Sequence, residues 1–90
     1  MSHVQVISKK TSEPFDEARL HASIVNACLA VRSHEGEANS TAKRVCQGVA
    51  EWLEGKHEVT SRDIRRVAGE QLAIYHPEAA YLYQSEPFMM

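Results

Sequence analysis

The sequence has little of what most catalytic sites are built from. Its four glycines, Gly36, Gly48, Gly55 and Gly69, are widely separated, so no glycine-rich loop is present to cradle phosphates. No serine stands on a glycine-flanked nucleophile elbow. These absences lead us to expect no catalytic residues and no enzymatic activity.

Metal-ligand patterns are also missing. The two cysteines, Cys28 and Cys46, are too few and too far apart for a structural zinc site, and each falls on the apolar stripe of a predicted helix. We therefore expect both to be small buried hydrophobic side chains. The five histidines are dispersed, with no pair at positions i and i+4 of one helix, so we expect no metal site.

Neither charge nor hydrophobicity is concentrated in one part of the chain. Ten basic and 12 acidic residues give a formal net charge of −2, whereas a general nucleic-acid binder needs a basic excess. No run approaches the roughly 20 apolar residues of a membrane span. The N-terminus lacks the long apolar run of a signal peptide. We expect a cytoplasmic protein without membrane contacts, and nucleic acid ranks low among its partners.

The first part of the chain carries the signals of a hairpin and a helix. Alternating β-branched residues predict a strand over His3–Ser8, and Glu13–Phe15 suits a short returning strand. Asp16 stands where an N-cap belongs. Apolar residues at helical spacing follow it and predict a helix over Glu17–Val31.

A second helix is predicted after a loop at Ser33–Glu37. Asn39 or Ser40 would cap it, and Gly55 would end it in the usual C-terminal role. The apolar stripes of the two helices should meet in one core. That core is expected to contain Leu20, Ile24, Val49 and Trp52.

The rest of the chain predicts a short strand and two more helices. The strand is His57–Val59, and Thr60 followed by Asp63 resembles a capping box for the third helix. Pro77 suits the first position of a fourth helix, and residues 85–90 should form a flexible tail. Residues 1–90 should therefore fold as one α+β domain, with a hairpin, two helices, a short strand and two helices.

Two polar clusters are candidates for binding. The first cluster is a basic hairpin turn, Lys9 and Lys10, next to Arg19 at the start of a helix. Such an arrangement is able to hold polyphosphate. Two lysines in a turn are, however, more often a solvated surface. The second cluster begins the third helix, where it forms either a capped, exposed charged face or a ligand-facing group. Its members are Thr60, Ser61, Arg62, Asp63, Arg65 and Arg66. The three arginines also suit a DNA-recognition helix.

The order of these motifs resembles the ATP-cone, a regulatory nucleotide-binding domain of ribonucleotide reductases and of the bacterial repressor of their genes. The resemblance runs from about Val4 to Gln84. It rests on Val6-Ile7-Ser8-Lys9-Lys10, Glu13-Pro14-Phe15-Asp16, Arg19-Leu20 with Ser23-Ile24 and Ala27 beyond, the stretch Val59–Ile64, and Glu78-Ala79-Ala80-Tyr81. The family turn is longer, with Asp-Gly after the basic pair, whereas here Thr11-Ser12-Glu13 follows. These 90 residues do not contain the zinc ribbon that precedes the cone in the repressor, so we do not expect DNA binding in that style.

The resemblance implies a small four-helix bundle covered by a three-stranded sheet, with ATP or dATP between hairpin and helices. The implied nucleotide-binding residues are Lys9, Lys10, Phe15, Asp16, Arg19, Leu20, Ser61, Asp63 and Arg65. Either lysine could meet the phosphates. The resemblance allows Mg²⁺ to accompany the nucleotide, and no tightly bound cofactor is expected.

Three functions follow from this interpretation. The first is a free-standing cone that binds ATP or dATP without hydrolysis and changes self-association or its hold on a partner, such as ribonucleotide reductase or another regulated protein. The second is a degenerate cone that binds only protein. The third is a small DNA-binding transcription modulator.

Overall fold

The secondary structure follows the predicted order of elements. The computed structural model describes residues 4–9 and 11–85. Its elements are β1 (Gln5–Ser8), β2 (Thr11–Pro14), α1 (Glu17–Ala30), α2 (Glu35–Leu53), β3 (Glu58–Thr60), α3 (Ser61–Tyr75) and α4 (Pro77–Ser85). The predicted α+β class, a four-helix bundle with a three-stranded sheet, is confirmed.

The sheet joins the N-terminal hairpin to a short strand that lies between α2 and α3. Its strand order is β2-β1-β3, with β1 antiparallel to β2 and parallel to β3. Val6 stands at its centre, paired with Glu13 on one side and Val59 on the other. Val59 is the buried residue of its three-residue strand, so β3 is held by one apolar side chain and by β1.

Helix α1 begins and ends close to the predicted positions. The Asp16 side chain accepts a hydrogen bond from Arg19 N at 3.2 Å, which confirms Asp16 as the N-cap. The helix ends at Ala30, one residue before the predicted end. Arg32 follows with a φ of 67°, in the left-handed region that commonly closes helices.

The predicted start of α2 is wrong. The helix begins at Glu35, inside the segment predicted as a loop, and its N-cap is His34, whose side chain makes no capping hydrogen bond. Asn39 lies within the helix and donates from Nδ2 to Glu35 O at 2.9 Å. Two features replace the missing cap. Acidic residues in the first turn suit the helix dipole, and Ala38 is already fully buried.

The remaining helix boundaries match their sequence signals. Gly55 follows the end of α2 with a φ of 79°, as a C-terminal glycine does. Thr60 Oγ1 accepts from Asp63 N at 3.0 Å and caps α3, and Pro77 is the first residue of α4. Ser85, predicted to begin the tail, is the last residue of α4, while residues 86–90 lie outside the described residues.

One hydrophobic core holds the helices together. Helix α2 packs against α1 and α3, α4 packs against α3 and α1, and β1 lies beside α3. Leu20, Ile24 and Val49 are buried in this core as predicted, and so are both cysteines. Trp52 is only partly buried at its edge, and Lys56 Nζ lies 4.7 Å from the centre of its ring.

Candidate functional site

A cleft opens between the hairpin and the N-terminal ends of α1 and α3. Its volume is about 250 Å³, slightly below the roughly 300–1,000 Å³ of typical small-molecule pockets. A larger ligand would therefore extend beyond its rim. Its lining residues are Val6, Ser8, Thr11, Glu13, Phe15, Asp16, Arg19, Leu20, Ser61 and Ile64.

The hairpin contributes one face of its ladder to the cleft. Side chains alternate along β1, so Val6 and Ser8 share a face. Val6 pairs with Glu13 and Ser8 pairs with Thr11, which places all four side chains on that same face. Thr11 Oγ1 donates to Ser8 O at 3.0 Å and fixes the end of the hairpin nearest the turn.

Apolar side chains form the floor and one side of the cleft. Leu20 of α1 and Ile64 of α3 are 1% and 0% exposed and form the floor. Phe15 is half-buried against the core, and its N–H donates to Val4 O at 2.9 Å. This hydrogen bond fixes the path of the chain from β2 into α1. The resulting apolar surface suits a planar, weakly polar ring.

Two helix N-termini meet at the cleft. Asp16, the N-cap of α1, and Ser61, the first residue of α3, both line it. The N-terminal end of a helix carries partial positive charge and exposes backbone N–H groups. Such ends favour anions.

The charged side chains of the lining, taken together, disfavour anions, because acidic groups outnumber basic ones. Glu13 Oε2 lies 3.6 Å from Arg19 Nη1, and both side chains are about half exposed or more. The Asp16 carboxylate also lines the cleft and bonds the Arg19 backbone. The described lining thus holds two carboxylates and one guanidinium, and an incoming anion must compete with Glu13 for Arg19.

Five of the nine nucleotide-binding residues implied by the resemblance lie together in this cleft. They are Phe15, Asp16, Arg19, Leu20 and Ser61. Lys9 is exposed in the hairpin turn, with a φ of 50°, directly after Ser8; it does not line the cleft. Lys10 lies outside the described residues.

The last two implied residues also lie away from the lining. Asp63 takes part in the α3 cap through its backbone N–H, and its Oδ1 lies 3.9 Å from Arg66 Nη2. The Arg65 guanidinium carbon lies 5.8 Å from the ring centre of Tyr83 on α4. Burial raises the pKa of Tyr83, while a hydrogen bond with Ser23 and the charge of Arg65 oppose that shift.

Sequence reasoning missed half of the lining. The residues it did not assign are Val6, Ser8, Thr11, Glu13 and Ile64. Four of them, Val6, Ser8, Glu13 and Ile64, stand within the motifs that carry the resemblance, so a signal was present. Thr11 alone depends on strand register, which pairs it with Ser8 across the turn.

Neither thiol is poised for chemistry. Burial raises the pKa of Cys28, and burial with the nearby Glu17 charge raises the pKa of Cys46 to about 11. Among residues 4–9 and 11–85, His, Cys, Asp and Glu form no group of three or more that could hold a metal ion. Within the same residues, no helix is long and apolar enough to cross a membrane.

Comparison with known proteins identifies the family. The search of curated proteins gave no significant match, and neither did the search of solved structures. The family described as the ATP cone domain matches residues 5–84, which include the whole cleft and all of the helices and strands except Ser85, the last residue of α4. This chain therefore belongs to the ATP cone domain family, whose members are nucleotide-binding regulatory modules.

Proposed function

We propose that the cleft binds ATP or dATP without hydrolysing it, and that occupancy changes the self-association of the chain or its hold on a protein partner. The observation that carries this proposal is the convergence of hairpin, α1 start and α3 start on one cleft. This cleft contains five of the residues that the family resemblance implies. A ribonucleotide reductase or another regulated protein is the partner that the resemblance suggests.

The lining suggests an orientation for the nucleotide. The base would lie on the apolar surface of Phe15, Leu20 and Ile64, and the phosphates would extend past Ser8 toward the basic turn at Lys9. Because the cleft is small, the phosphates would lie at or beyond its rim, within reach of long basic side chains.

The two carboxylates in the lining suggest that the nucleotide binds together with a metal ion. Mg²⁺ usually binds through one or two carboxylates together with substrate phosphates and retained waters. Glu13 and Asp16 are the residues that would hold it, and the ion would reduce repulsion between them and a triphosphate. The ion would therefore enter with the nucleotide.

Calorimetric titration with ATP, dATP and GTP, with and without Mg²⁺, tests the proposal. Binding of the adenine nucleotides should fall when Arg19 is changed to Gln. Arg32→Gln is a matched control, since Arg32 is an exposed arginine in the α1–α2 connection, away from the cleft lining. No binding of any nucleotide, or an equal loss in both variants, would refute the assignment of the cleft.

A non-catalytic role is part of the same proposal. Regulation by occupancy requires only that the nucleotide bind differently to two states of the protein. Steady phosphate release above a buffer control, abolished by Arg19→Gln, would show hydrolysis instead.

A degenerate cone that binds only protein is the second candidate. The observation in its favour is the Glu13–Arg19 pair, which occupies the guanidinium of the cleft. Exposed apolar side chains such as Ile74 and Tyr81, 69% and 75% exposed, would suit a protein surface. Retained self-association without nucleotide binding would favour this candidate.

The DNA-binding alternative has less support. Arg66 lies near Asp63 and within 3.5 Å of Glu70, and Arg65 is directed toward the Tyr83 ring. Pairing and packing of these arginines reduce the basic face that a recognition helix would need. A salt-dependent shift of duplex DNA by the pure chain would reverse this ranking.

A further inference from the structure

Helix α4 takes no part in the lining of the cleft, yet it rests on the two helices that begin there. It packs against α3 and α1, whose first turns hold Ser61 and Asp16 at the cleft. At nine residues α4 is shorter than the roughly 12–15 residues an isolated helix needs for stability in water. Its order therefore depends on the position of α1 and α3.

Tyr83 is the large buried side chain of α4 that interacts with both helices. It is 0% exposed and among the largest fully buried side chains of the described residues. Its side chain hydrogen-bonds with Ser23 of α1, and its ring lies 5.8 Å from the guanidinium carbon of Arg65 on α3. A buried tyrosine hydroxyl needs such a partner, because an unsatisfied one would carry a desolvation penalty.

The two partners of Tyr83 are directly connected to the floor of the cleft. Ser23 Oγ donates to the backbone oxygen of Leu20 at 2.8 Å, and Leu20 is a floor residue. Arg65 follows Ile64, the other floor residue, in α3. Leu20 is therefore linked to Tyr83 through Ser23, and Ile64 is linked to Tyr83 through its neighbour Arg65.

We infer that Tyr83 couples occupancy of the cleft to the order of α4, so that a bound nucleotide stabilises α4 through Leu20–Ser23 and Ile64–Arg65. This inference rests on the proposed function, since it requires a nucleotide in the cleft. A ligand that contacts Leu20 and Ile64 holds α1 and α3 in one relative position. The site for the Tyr83 side chain is thereby fixed, and local opening of α4 becomes less frequent. Tyr83 is thus a positioning residue that need not touch the ligand.

Hydrogen exchange of the full chain, with and without saturating ATP, tests this coupling. In the wild type, ATP should slow exchange about fivefold or more at the α4 amides 79–85, a factor within the usual range of coupling between sites. Tyr83→Phe keeps the ring and removes the hydroxyl. It should bind ATP within about twofold of wild type by calorimetry, yet show less than about twofold slowing in α4. Tyr81→Phe is the matched control, because it removes a hydroxyl from the same helix at a side chain that is 75% exposed. It should behave as wild type.

The outcomes separate the coupling from the proposed function. ATP-dependent slowing in α4 that persists in Tyr83→Phe would overturn the role of this hydroxyl. Slowing at the first turns of α1 and α3 without any in wild-type α4 would overturn the coupling and leave nucleotide binding intact. Absence of ATP binding in calorimetry would refute both. If Tyr83→Phe fails to fold, Ser23→Ala breaks the same hydrogen bond from α1 and should give the same loss of coupling.

Discussion

In the absence of Mg²⁺, replacing Glu13 by Gln should strengthen ATP binding. Glu13 Oε2 lies 3.6 Å from Arg19 Nη1 in the cleft, with side chains 64% and 49% exposed. An exposed pair of this kind is worth about 0.2–1 kcal/mol, and that energy opposes any phosphate that recruits Arg19. The carboxylate also repels the phosphates, by up to about 1 kcal/mol at 4 Å in water and less in salt.

Together these terms amount to about 0.5–1.5 kcal/mol, which corresponds to a roughly two- to tenfold lower Kd for ATP. The gain should be smaller for AMP, which carries fewer charges, and smaller at high salt. Loss of an exposed pair should cost no more than about 1 kcal/mol of stability, so the fold should persist.

Calorimetry in EDTA, at two salt concentrations, measures the effect. In Mg²⁺ the gain should shrink or reverse, because Glu13 would then help to hold the ion. Glu70→Gln is the matched control, because Glu70 pairs with Arg66 at a similar 3.5 Å but does not line the cleft. Weaker ATP binding by a folded Glu13→Gln variant in EDTA would refute the reasoning. It would mean that Glu13 contacts the nucleotide itself rather than restraining Arg19.

Three other changes have defined outcomes. Replacing both Lys9 and Lys10 by Ala should weaken ATP binding at least about tenfold and AMP binding less, since each hydrogen bond to a charged group is worth about 1.5–3 kcal/mol; equal titrations of wild type and variant would show that the lysines are only surface residues. Leu20→Ala should cost about 2–5 kcal/mol in urea unfolding, because Leu20 is 1% exposed in the core; an unchanged curve would contradict that burial. Cys28 and Cys46 should resist a thiol reagent at pH 8 until denaturant is added. The Cys46 pKa, raised from 9.0 to about 11, keeps the thiol protonated in the folded state, so stability should fall as pH rises from about 9 toward 11; stability that rose there would contradict the sign.

Local signals were enough to predict most of the fold. Asp16, Thr60 and Pro77 mark helix starts with side chains or rings whose effect depends only on neighbouring residues, and each stands where predicted. The α2 start was missed because packing determines it. Ala38 is fully buried against other elements, and the polar residues Asn39 and Ser40 imitate a cap signal within the helix.

The site was only partly predictable, for a related reason. Phe15, Asp16 and Arg19 stand close together in a recognisable motif, and the first turn of α1 brings them to the cleft. Thr11 reaches the cleft only because Ser8 pairs with it and aligns the hairpin. Arg65 was assigned to the ligand from its place in the α3 motif, but its contact with Tyr83 depends on how α3 and α4 cross.

The parallel pairing of β1 with β3 has a consequence for how the cleft is assembled during folding. Gln5 pairs with Glu58, so both helices α1 and α2 lie within the loop that this contact closes. Contacts between residues so far apart in sequence form at a large entropic cost and tend to follow local helix formation. The cleft needs the hairpin on one side and Ser61 and Ile64 on the other. A chain still emerging from the ribosome therefore has no complete cleft until α3 has been synthesised. Partly folded molecules should not bind the nucleotide.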